Sequence, residues 1–202
     1  MRSDEEKTFA SMEELLRAIR SCRLCEEHLP LGPRPVIRAS ETARILIVGQ
    51  APGIRVHETG IPWNDPSGER LRRWLDVDKS TFYDEKRIAI APMGFCYPGK
   101  GTRGDLPPRK ECAEAWRVPL HEHLPKLKLV LLIGQYAIAE YLRSRRKRNL
   151  AETVAAWREY FPPYCPLPHP SPRNIQWFRR NPWVEDEIVL SIRREFHRIL
   201  TE

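Results

Sequence analysis

Long hydrophobic runs are missing from this sequence of 202 residues, and so are internal repeats and low-complexity stretches. The longest apolar runs, Ile45–Val48 and Leu129–Ile133, are far too short to cross a bilayer. The segment Met1–Lys7 also lacks the basic and apolar stretches of a secretory signal peptide. We therefore expect a soluble, cytoplasmic protein without a membrane partner, built as a single domain over residues 1–202 and present as a monomer.

Acidic residues are fewer than basic ones, with 27 Asp and Glu against 34 Lys and Arg, which gives a formal net charge of +7. A basic surface suits a polyanionic partner such as nucleic acid. The plain alternative is a basic surface that contacts only solvent, so the charge supports a conclusion that other residues must establish. The densest basic cluster, Arg143–Arg148, is expected at an exposed helix end or loop, where it can contact phosphates.

Short apolar runs alternate along the chain with stretches in which apolar residues recur at helical spacing, which predicts alternating strands and helices. Short buried strands are predicted at residues 44–48, 87–92, 128–133 and 166–169. Helices are predicted at residues 11–19, 68–75, 111–124, 135–143 and 183–199. This order predicts an α/β fold, a three-layer α/β/α sandwich with a short central parallel sheet, in which ligands bind at the carboxyl ends of the strands.

The first motif, Gly49-Gln50-Ala51-Pro52-Gly53, directly follows a predicted strand. Two glycines and a proline fix a tight backbone that can approach a planar base or a phosphate closely, with backbone N–H groups as donors. The G-x-G-x-x-G spacing of dinucleotide-binding proteins is absent. Taken alone, this motif fits a purely structural turn between a strand and a helix at least as well.

The second motif, His169-Pro170-Ser171-Pro172-Arg173-Asn174, follows the last predicted strand. Because its prolines stiffen the loop, the imidazole of His169 and the hydroxyl of Ser171 are held in place. A lone histidine is usually structural. A histidine in a rigid loop at a strand end is a better candidate for contact with a reactive group.

The third motif is the turn Thr59–Gly68, with the sequence T-G-I-P-W-N-D-P-S-G. It sets an aromatic ring, an amide and a carboxylate just before a helix, as a site that stacks a base and orients a water requires. The alternative is that Asp65 or Ser67 merely caps the helix that begins near Gly68.

Four of the five cysteines form a pattern: Cys22-x2-Cys25, a long gap, then Cys96-x15-Cys112. In an intracellular chain, a C-x-x-C pair with two further cysteines favours a metal site over disulfides, and composition alone leaves zinc and iron–sulfur open. The remaining Cys165 is interpreted as a small buried hydrophobic residue.

Together the four motifs resemble the uracil-DNA glycosylase superfamily, most closely its iron–sulfur families four and five, from Cys22 to the end of the chain. The resemblance implies that Cys22, Cys25, Cys96 and Cys112 bind a [4Fe–4S] cluster. The N-terminal helix and the cluster-binding segment, residues 11–36, are expected to pack on the rest of the domain. It also implies that His169 faces the base carbonyl and stabilises negative charge on the departing base.

The resemblance assigns further binding roles by position. Trp63 falls where the family places the aromatic ring that stacks on the flipped base. The residues implied to bind the base are Gly49, Gln50, Ala51, Pro52, Gly53, Trp63 and Asn64. The residues implied to contact DNA are Ser67, Ser171, Arg173 and Asn174, and a wedge side chain is expected among Arg173, Asn174, Ile175 and the stretch 177–180.

The sequence departs from the family pattern at two places, and the first of them affects catalysis. The first motif carries Gln50 and Ala51 where the fourth and first families have a Glu and an Asp. Asp65-Pro66-Ser67-Gly68 matches the D-x-S-G element of the fifth family, which implies that Asp65 positions the attacking water and stabilises the sugar cation. Glu58 is a second catalytic candidate, and His57 is close enough to serve as a substitute.

The other departure concerns the base. Pro92 stands where the fourth family has the Asn that reads uracil, four residues before the third cysteine. A pocket without that amide can accept hypoxanthine or xanthine, because selection by a buried hydrogen bond is lost with its donor.

The expected function is a monofunctional DNA glycosylase of base excision repair, which removes uracil or another deaminated base from single- or double-stranded DNA and leaves an abasic site. One alternative is a catalytically weak DNA-lesion binding module of the same fold, suggested by the missing carboxylate of the first motif. Another is a hydrolase of free nucleosides or nucleotides, whose turnover does not depend on DNA.

Overall fold

The strands of the computed structural model, which describes residues 8–102 and 104–202, are short and mostly buried. They are β1 (Ile45–Val48), β2 (Ile88–Ile90), β3 (Lys100–Gly101), β4 (Gly104–Asp105), β5 (Leu129–Ile133) and β6 (Tyr164–Leu167). Strands β3 and β4 form an antiparallel hairpin, and the other four form the central sheet.

The α-helices lie between and after these strands. They are α1 (Met12–Arg20), α2 (Ile54–Thr59), α3 (Pro66–Leu75), α4 (Lys79–Phe82), α5 (Lys110–Glu122), α6 (Gln135–Leu142), α7 (Leu150–Ala155), α8 (Ile175–Arg180) and α9 (Leu190–Thr201). Helix α1 begins as predicted, because the Ser11 hydroxyl accepts a hydrogen bond from the backbone N–H of Glu14 at 3.2 Å.

The central sheet has the order β2-β1-β5-β6, and all its strands are parallel. Every residue of β1, β2 and β5 is buried, so both faces of the sheet are covered by other elements. This is the arrangement of a three-layer α/β/α sandwich, and the predicted fold class is confirmed. The strand order changes direction between β1 and β5, and such a point opens a crevice at the carboxyl ends of the strands.

The N-terminal helix shares the core of the rest of the chain. Met12, Leu15, Leu16 and Ile19 belong to the same hydrophobic cluster as the residues of β1 and β5. Helix α1 packs on α5, and α3 packs on α9. Cys165 lies in β6 with no exposed surface, as expected for a small hydrophobic residue.

Several predicted boundaries were wrong. The last strand ends at Leu167 rather than at residue 169, so Pro168 and His169 belong to the following loop. The C-terminal helix begins with a π-helical segment, Val184–Val189, before α9. The hairpin β3–β4 and the short helices α2, α4, α7 and α8 were missed, because none spans enough residues to repeat a hydrophobic period.

Within the described ranges, 8–102 and 104–202, the helices are all too short or too polar to cross a membrane.

Candidate active site

The loops that follow β1 and β6 meet at one pocket above the carboxyl end of the sheet. The turn before α3 forms a third wall. The pocket encloses about 440 Å³ of space, part of it open to solvent. Its lining consists of Val36, Gly49, Gln50, Ala51, Pro52, Gly53, Val56, Pro62, Trp63, Asp65, Ile90, Pro92 and His169. The three motifs predicted from the sequence to share a site therefore do lie together, with Trp63, Asp65 and His169 on its wall.

Trp63 is the aromatic residue of the pocket, and its backbone is unusual. Its φ angle is 56°, in the left-handed region that bulky residues seldom adopt. In this conformation the indole ring stacks on the imidazole of His169, with 5.5 Å between ring centroids and an interplanar angle of 28°. The ring also lies over Gly49, where an added methyl group would stand 2.9 Å from Trp63 Cζ2. Backbone strain of this kind concentrates at functional sites.

Contacts from α3 and α4 hold Trp63 in its strained turn. A methyl group at Gly68 would stand 1.8 Å from the Trp63 carbonyl oxygen, so only glycine permits this approach. The buried guanidinium of Arg72 donates to the same oxygen at 3.2 Å. The Tyr83 hydroxyl, which follows α4, donates to the Pro62 carbonyl at 2.8 Å. The turn is thus fixed by one close backbone contact and two hydrogen bonds.

Asp65 has both of the roles considered for it in the sequence. Its Oδ1 accepts a hydrogen bond from the Gly68 backbone N–H at 2.8 Å, which makes it the N-cap of α3. The same side chain lines the pocket. The helix therefore fixes the carboxylate at the pocket wall.

His169 is held from both sides of its loop. The Asn174 side chain donates to the His169 carbonyl at 2.8 Å, and Gly134, at the end of β5, packs against its Cβ. Burial lowers the pKa of the His169 imidazole, and the negative charge of Asp65 raises it only in part. The imidazole is therefore neutral near pH 7 and retains one N–H donor.

Residues 37–193, well over half of the chain, match the family model described as Uracil DNA glycosylase superfamily. The chain belongs to the uracil DNA glycosylase superfamily. Membership indicates a DNA glycosylase, a hydrolase that binds DNA and acts in its repair. The matched residues include all three pocket motifs together with Cys96 and Cys112.

Three site residues predicted from the superfamily pattern lie away from the pocket lining. Glu58 is exposed on α2, and its carbonyl accepts a hydrogen bond from Arg34 at 3.0 Å. Asn64 directs its amide to the Thr59 hydroxyl at 3.5 Å, and Ser67 is buried in the first turn of α3. His57, the substitute for Asp65, packs its ring against Tyr97 at 6.0 Å. Glu58 faces outward because it lies on α2, and the Asn64 amide is held by its local hydrogen bond to Thr59.

The loop after His169 supports the pocket and faces outward. Ser171 caps a short 3-10 turn, Pro172–Asn174, by accepting from the Arg173 N–H at 3.3 Å. Arg173 is exposed and reaches Gly104 of the β3–β4 hairpin. Of the side chains considered as a wedge, Ile175 is 43% exposed, whereas Trp177 packs against Phe178 and Trp183. The structure therefore leaves Ile175 as the exposed apolar residue of this stretch.

The β3–β4 hairpin is the part of this glycosylase site that sequence reasoning missed. It approaches the first motif, where the Gln50 amide donates to the Leu106 carbonyl at 3.0 Å. Asp105, in β4, places its carboxylate beside Gly53. Partial desolvation raises the pKa of Asp105, and the negative charge of Asp65 raises it further. The positive charges of Arg173 and Lys100 act in the opposite direction. The only signal in the sequence was the glycine-rich stretch 99–104 ahead of an isolated acidic residue.

The four cysteines of the predicted cluster site line a second cavity of about 390 Å³, part of it open to solvent. Arg109, Leu29 and Phe95 complete part of its wall. The Phe95 N–H donates to Cys112 Sγ at 3.3 Å, and burial raises the pKa of Cys96 to about 11 and that of Cys112 to about 12. Among residues 8–102 and 104–202, no group of three or more His, Cys, Asp or Glu side chains is arranged to hold one metal ion. The cysteines converge on one space without the geometry of a mononuclear site.

Replacing Gly68 by alanine should destabilise the protein. Alanine favours a helix over glycine by about 1 kcal/mol, but here its methyl group would overlap the Trp63 carbonyl. We expect a net loss of at least about 2 kcal/mol in the free energy of unfolding, measured by urea denaturation. Glu69→Ala, at the exposed neighbouring position, should change it by less than about 1 kcal/mol. A Gly68→Ala protein as stable as the parent would contradict the close contact.

Stability should fall as the pH is lowered through about 6.5, the ordinary histidine value. The folded protein binds a proton at His169 less tightly than the unfolded chain does, so acid favours unfolding. His169→Asn should reduce this dependence in urea denaturation at pH values from about 5 to 8. Part of the pH dependence should remain, because burial also lowers the pKa of His121. Replacement of the exposed His28 by Asn is the control. If the free energy of unfolding of His169→Asn depended on pH as steeply as that of the parent, the burial argument would be contradicted.

Proposed function

We propose that this protein is a monofunctional DNA glycosylase that hydrolyses the N-glycosidic bond of uracil or another deaminated base in DNA. The product is an abasic site, the first intermediate of base excision repair. One observation carries the proposal: His169, from the loop after β6, lines a single pocket at the carboxyl edge of the sheet together with Trp63 and Asp65, from the turn before α3. These are an electrostatic donor, a stacking surface and a carboxylate, the groups that the reaction requires.

His169 stabilises the departing base. The glycosidic bond breaks with its electron pair moving to the base, so negative charge grows on the base carbonyl oxygen. A neutral imidazole N–H can hydrogen-bond to that oxygen without a prior proton transfer. Because Asn174 and the flanking prolines fix the loop, the donor needs little reorganisation as the charge develops, which is the condition for effective electrostatic catalysis.

Trp63 supplies the stacking surface for the extruded base. Removing a base from the DNA stack costs a few kcal/mol, and contact with an indole offsets part of this. The left-handed backbone at Trp63 directs the ring across Gly49 and against His169. Stacking and leaving-group stabilisation are thereby brought to the same end of the pocket.

Asp65 completes the reaction at the sugar. Its negative charge stabilises the oxocarbenium-like sugar, and it positions the water whose oxygen bonds to C1′. Of Asp65, Glu58 and His57, Asp65 is the one that lines the pocket, which is why we assign the role to it. We assign attack by water and not by an amine that would form a Schiff base, which the lack of a lysine in the pocket motifs supports.

The pocket is less selective for the base than a strictly uracil-specific pocket. Pro92 lines the pocket at the position of the family amide and has no side-chain donor. The Gln50 amide is hydrogen-bonded to the Leu106 carbonyl, which takes one of its N–H groups. With few fixed hydrogen bonds to the base edge, the pocket accepts hypoxanthine and xanthine as well as uracil.

DNA contacts the surface around the second motif. Arg173 lies there as an exposed cation, and Ile175 is the apolar side chain suited to fill the gap left by the flipped nucleotide. The cluster Arg143–Arg148 is exposed at most of its positions and adds positive charge for phosphates.

We also propose that Cys22, Cys25, Cys96 and Cys112 hold a [4Fe–4S] cluster. In such a cluster each cysteine binds a different iron, so the sulfurs surround a volume instead of a point, as the four thiols do around their cavity. The N–H of Phe95 that donates to Cys112 is a typical interaction of a cluster thiolate. The cluster would tether the segment after α1 to the loop that begins at Cys96, and the reaction itself needs no electron transfer.

Base release from oligonucleotides tests the enzyme proposal. We expect the parent to release uracil, hypoxanthine or xanthine from single- or double-stranded DNA, leaving abasic sites in uncleaved strands. Asp65→Asn should lower the single-turnover rate by about 100-fold or more, while the protein stays folded because asparagine also caps helices. Asp186→Asn, which removes an exposed negative charge elsewhere, is the control.

The other outcomes of this assay separate the alternatives. Tight binding of lesion-containing DNA with no base release would indicate a binding module. Cleavage of free nucleosides without DNA, and without salt-dependent binding, would indicate a nucleoside hydrolase. An undiminished rate in Asp65→Asn would contradict the role given to Asp65 but not the glycosylase activity.

Metal analysis tests the cluster. Protein purified without oxygen should contain iron and inorganic sulfide in equal amounts and absorb broadly in the visible range. Cys96→Ser should lose most of the iron, whereas Cys165→Ala, at the buried cysteine of β6, should keep it. Zinc in place of iron, or iron retained in Cys96→Ser, would contradict the proposal.

A further inference from the structure

The β3–β4 hairpin brings a carboxylate to the edge of the pocket. Lys100 pairs with Asp105 across the hairpin, and the Leu106 N–H donates to the Gly99 carbonyl at 2.9 Å. The Gln50 amide then ties Leu106 to the loop after β1 at 3.0 Å. These bonds hold the hairpin together and fix it to the pocket loop at Leu106, next to Asp105.

Gly53 is the pocket residue that lies beside this carboxylate. A methyl group at Gly53 would stand 3.4 Å from Asp105 Oδ2, and Gly53 itself lines the pocket. The φ angle of Gly53 is −82°, which any residue can adopt, so the backbone conformation does not require glycine there. The Asp105 carboxylate therefore lies directly beside a residue of the pocket lining, with no side chain at position 53 between them.

The charges around Asp105 connect it to the groups already assigned. Arg173, from the loop of His169, and Lys100 attract its carboxylate, and Asp65 repels it. Partial desolvation and this repulsion raise the pKa of Asp105, which makes its carboxylate a stronger base. Asp65, by contrast, has one carboxylate oxygen engaged as the N-cap of α3.

We propose that Asp105 is a second carboxylate of the active site and accepts the proton of the attacking water, while Asp65 stabilises the sugar cation. The inference rests on the proposed glycosylase function. In this step the C1′–N bond breaks and its electron pair leaves with the base, the water oxygen bonds to C1′, and the water proton moves to Asp105. The base anion, hydrogen-bonded to His169, takes its proton from solvent. Water is the only co-reactant.

This division of work accounts for the missing carboxylate of the first motif. Where other families carry an acidic residue at the second or third position, this chain has Gln50 and Ala51. Gln50 instead anchors the hairpin that carries Asp105. The negative charge thus reaches the pocket from a different segment of the chain.

The decisive experiment measures single-turnover base release by Asp105→Asn at saturating enzyme, using the lesion that the parent releases best. We expect the rate to fall at least tenfold, with DNA affinity unchanged or higher because a negative charge near the DNA is gone. Asp105→Glu should recover part of the rate. Asp186→Asn, which makes the same charge change away from the pocket, should match the parent.

The pH profile separates catalysis from a structural role. The parent rate should fall in acid at a pH above the ordinary range of an aspartate, because a protonated Asp105 cannot accept the water proton. In Asp105→Asn this acid limb should move to lower pH. An Asp105→Asn protein with the parent's rate and pH profile would overturn the inference and leave the glycosylase proposal intact. A parent that releases no base from any lesion would overturn both.

Discussion

The close approach of Gly68 to the Trp63 carbonyl is the contact on which the site depends. It allows the chain to enter α3 from a residue in the left-handed conformation, with Arg72 bonded to the same oxygen. From that turn the indole ring points across Gly49 to His169, and the next residue but one, Asp65, caps the helix from the pocket wall. A side chain at position 68 would separate these groups, because the turn could not close.

The parallel sheet supplies the second constraint. Since β1 and β6 end at the same edge, the loops that follow them meet there, although more than 100 residues separate Gly49 from His169 in the sequence. This is why the fold class and the meeting of the motifs were predictable from sequence. Apolar runs such as Leu129–Ile133 identify buried strands, and the topology of parallel sheets then places their loops together.

Other parts of the site could not be predicted, for identifiable physical reasons. Glu58 and Asn64 carry suitable groups at suitable positions in the sequence, but α2 is a six-residue helix that turns the first outward, and a local hydrogen bond takes the second. The hairpin of Asp105 has two residues in each strand, and its position depends on a tertiary hydrogen bond from Gln50. Neither feature leaves a periodic signal, since both are determined by contacts between distant segments.

The double engagement of Asp65 has a consequence for how this site tolerates change. A carboxylate in a partly apolar cleft ordinarily weakens a fold, and enzymes commonly trade robustness for reactivity at such positions. Here the residue begins a helix of ten residues, whose amino-terminal dipole and unpaired N–H groups favour a negative charge. Aspartate at position 65 therefore serves both the reaction and the fold. A replacement that weakens the helix cap should lower both activity and stability.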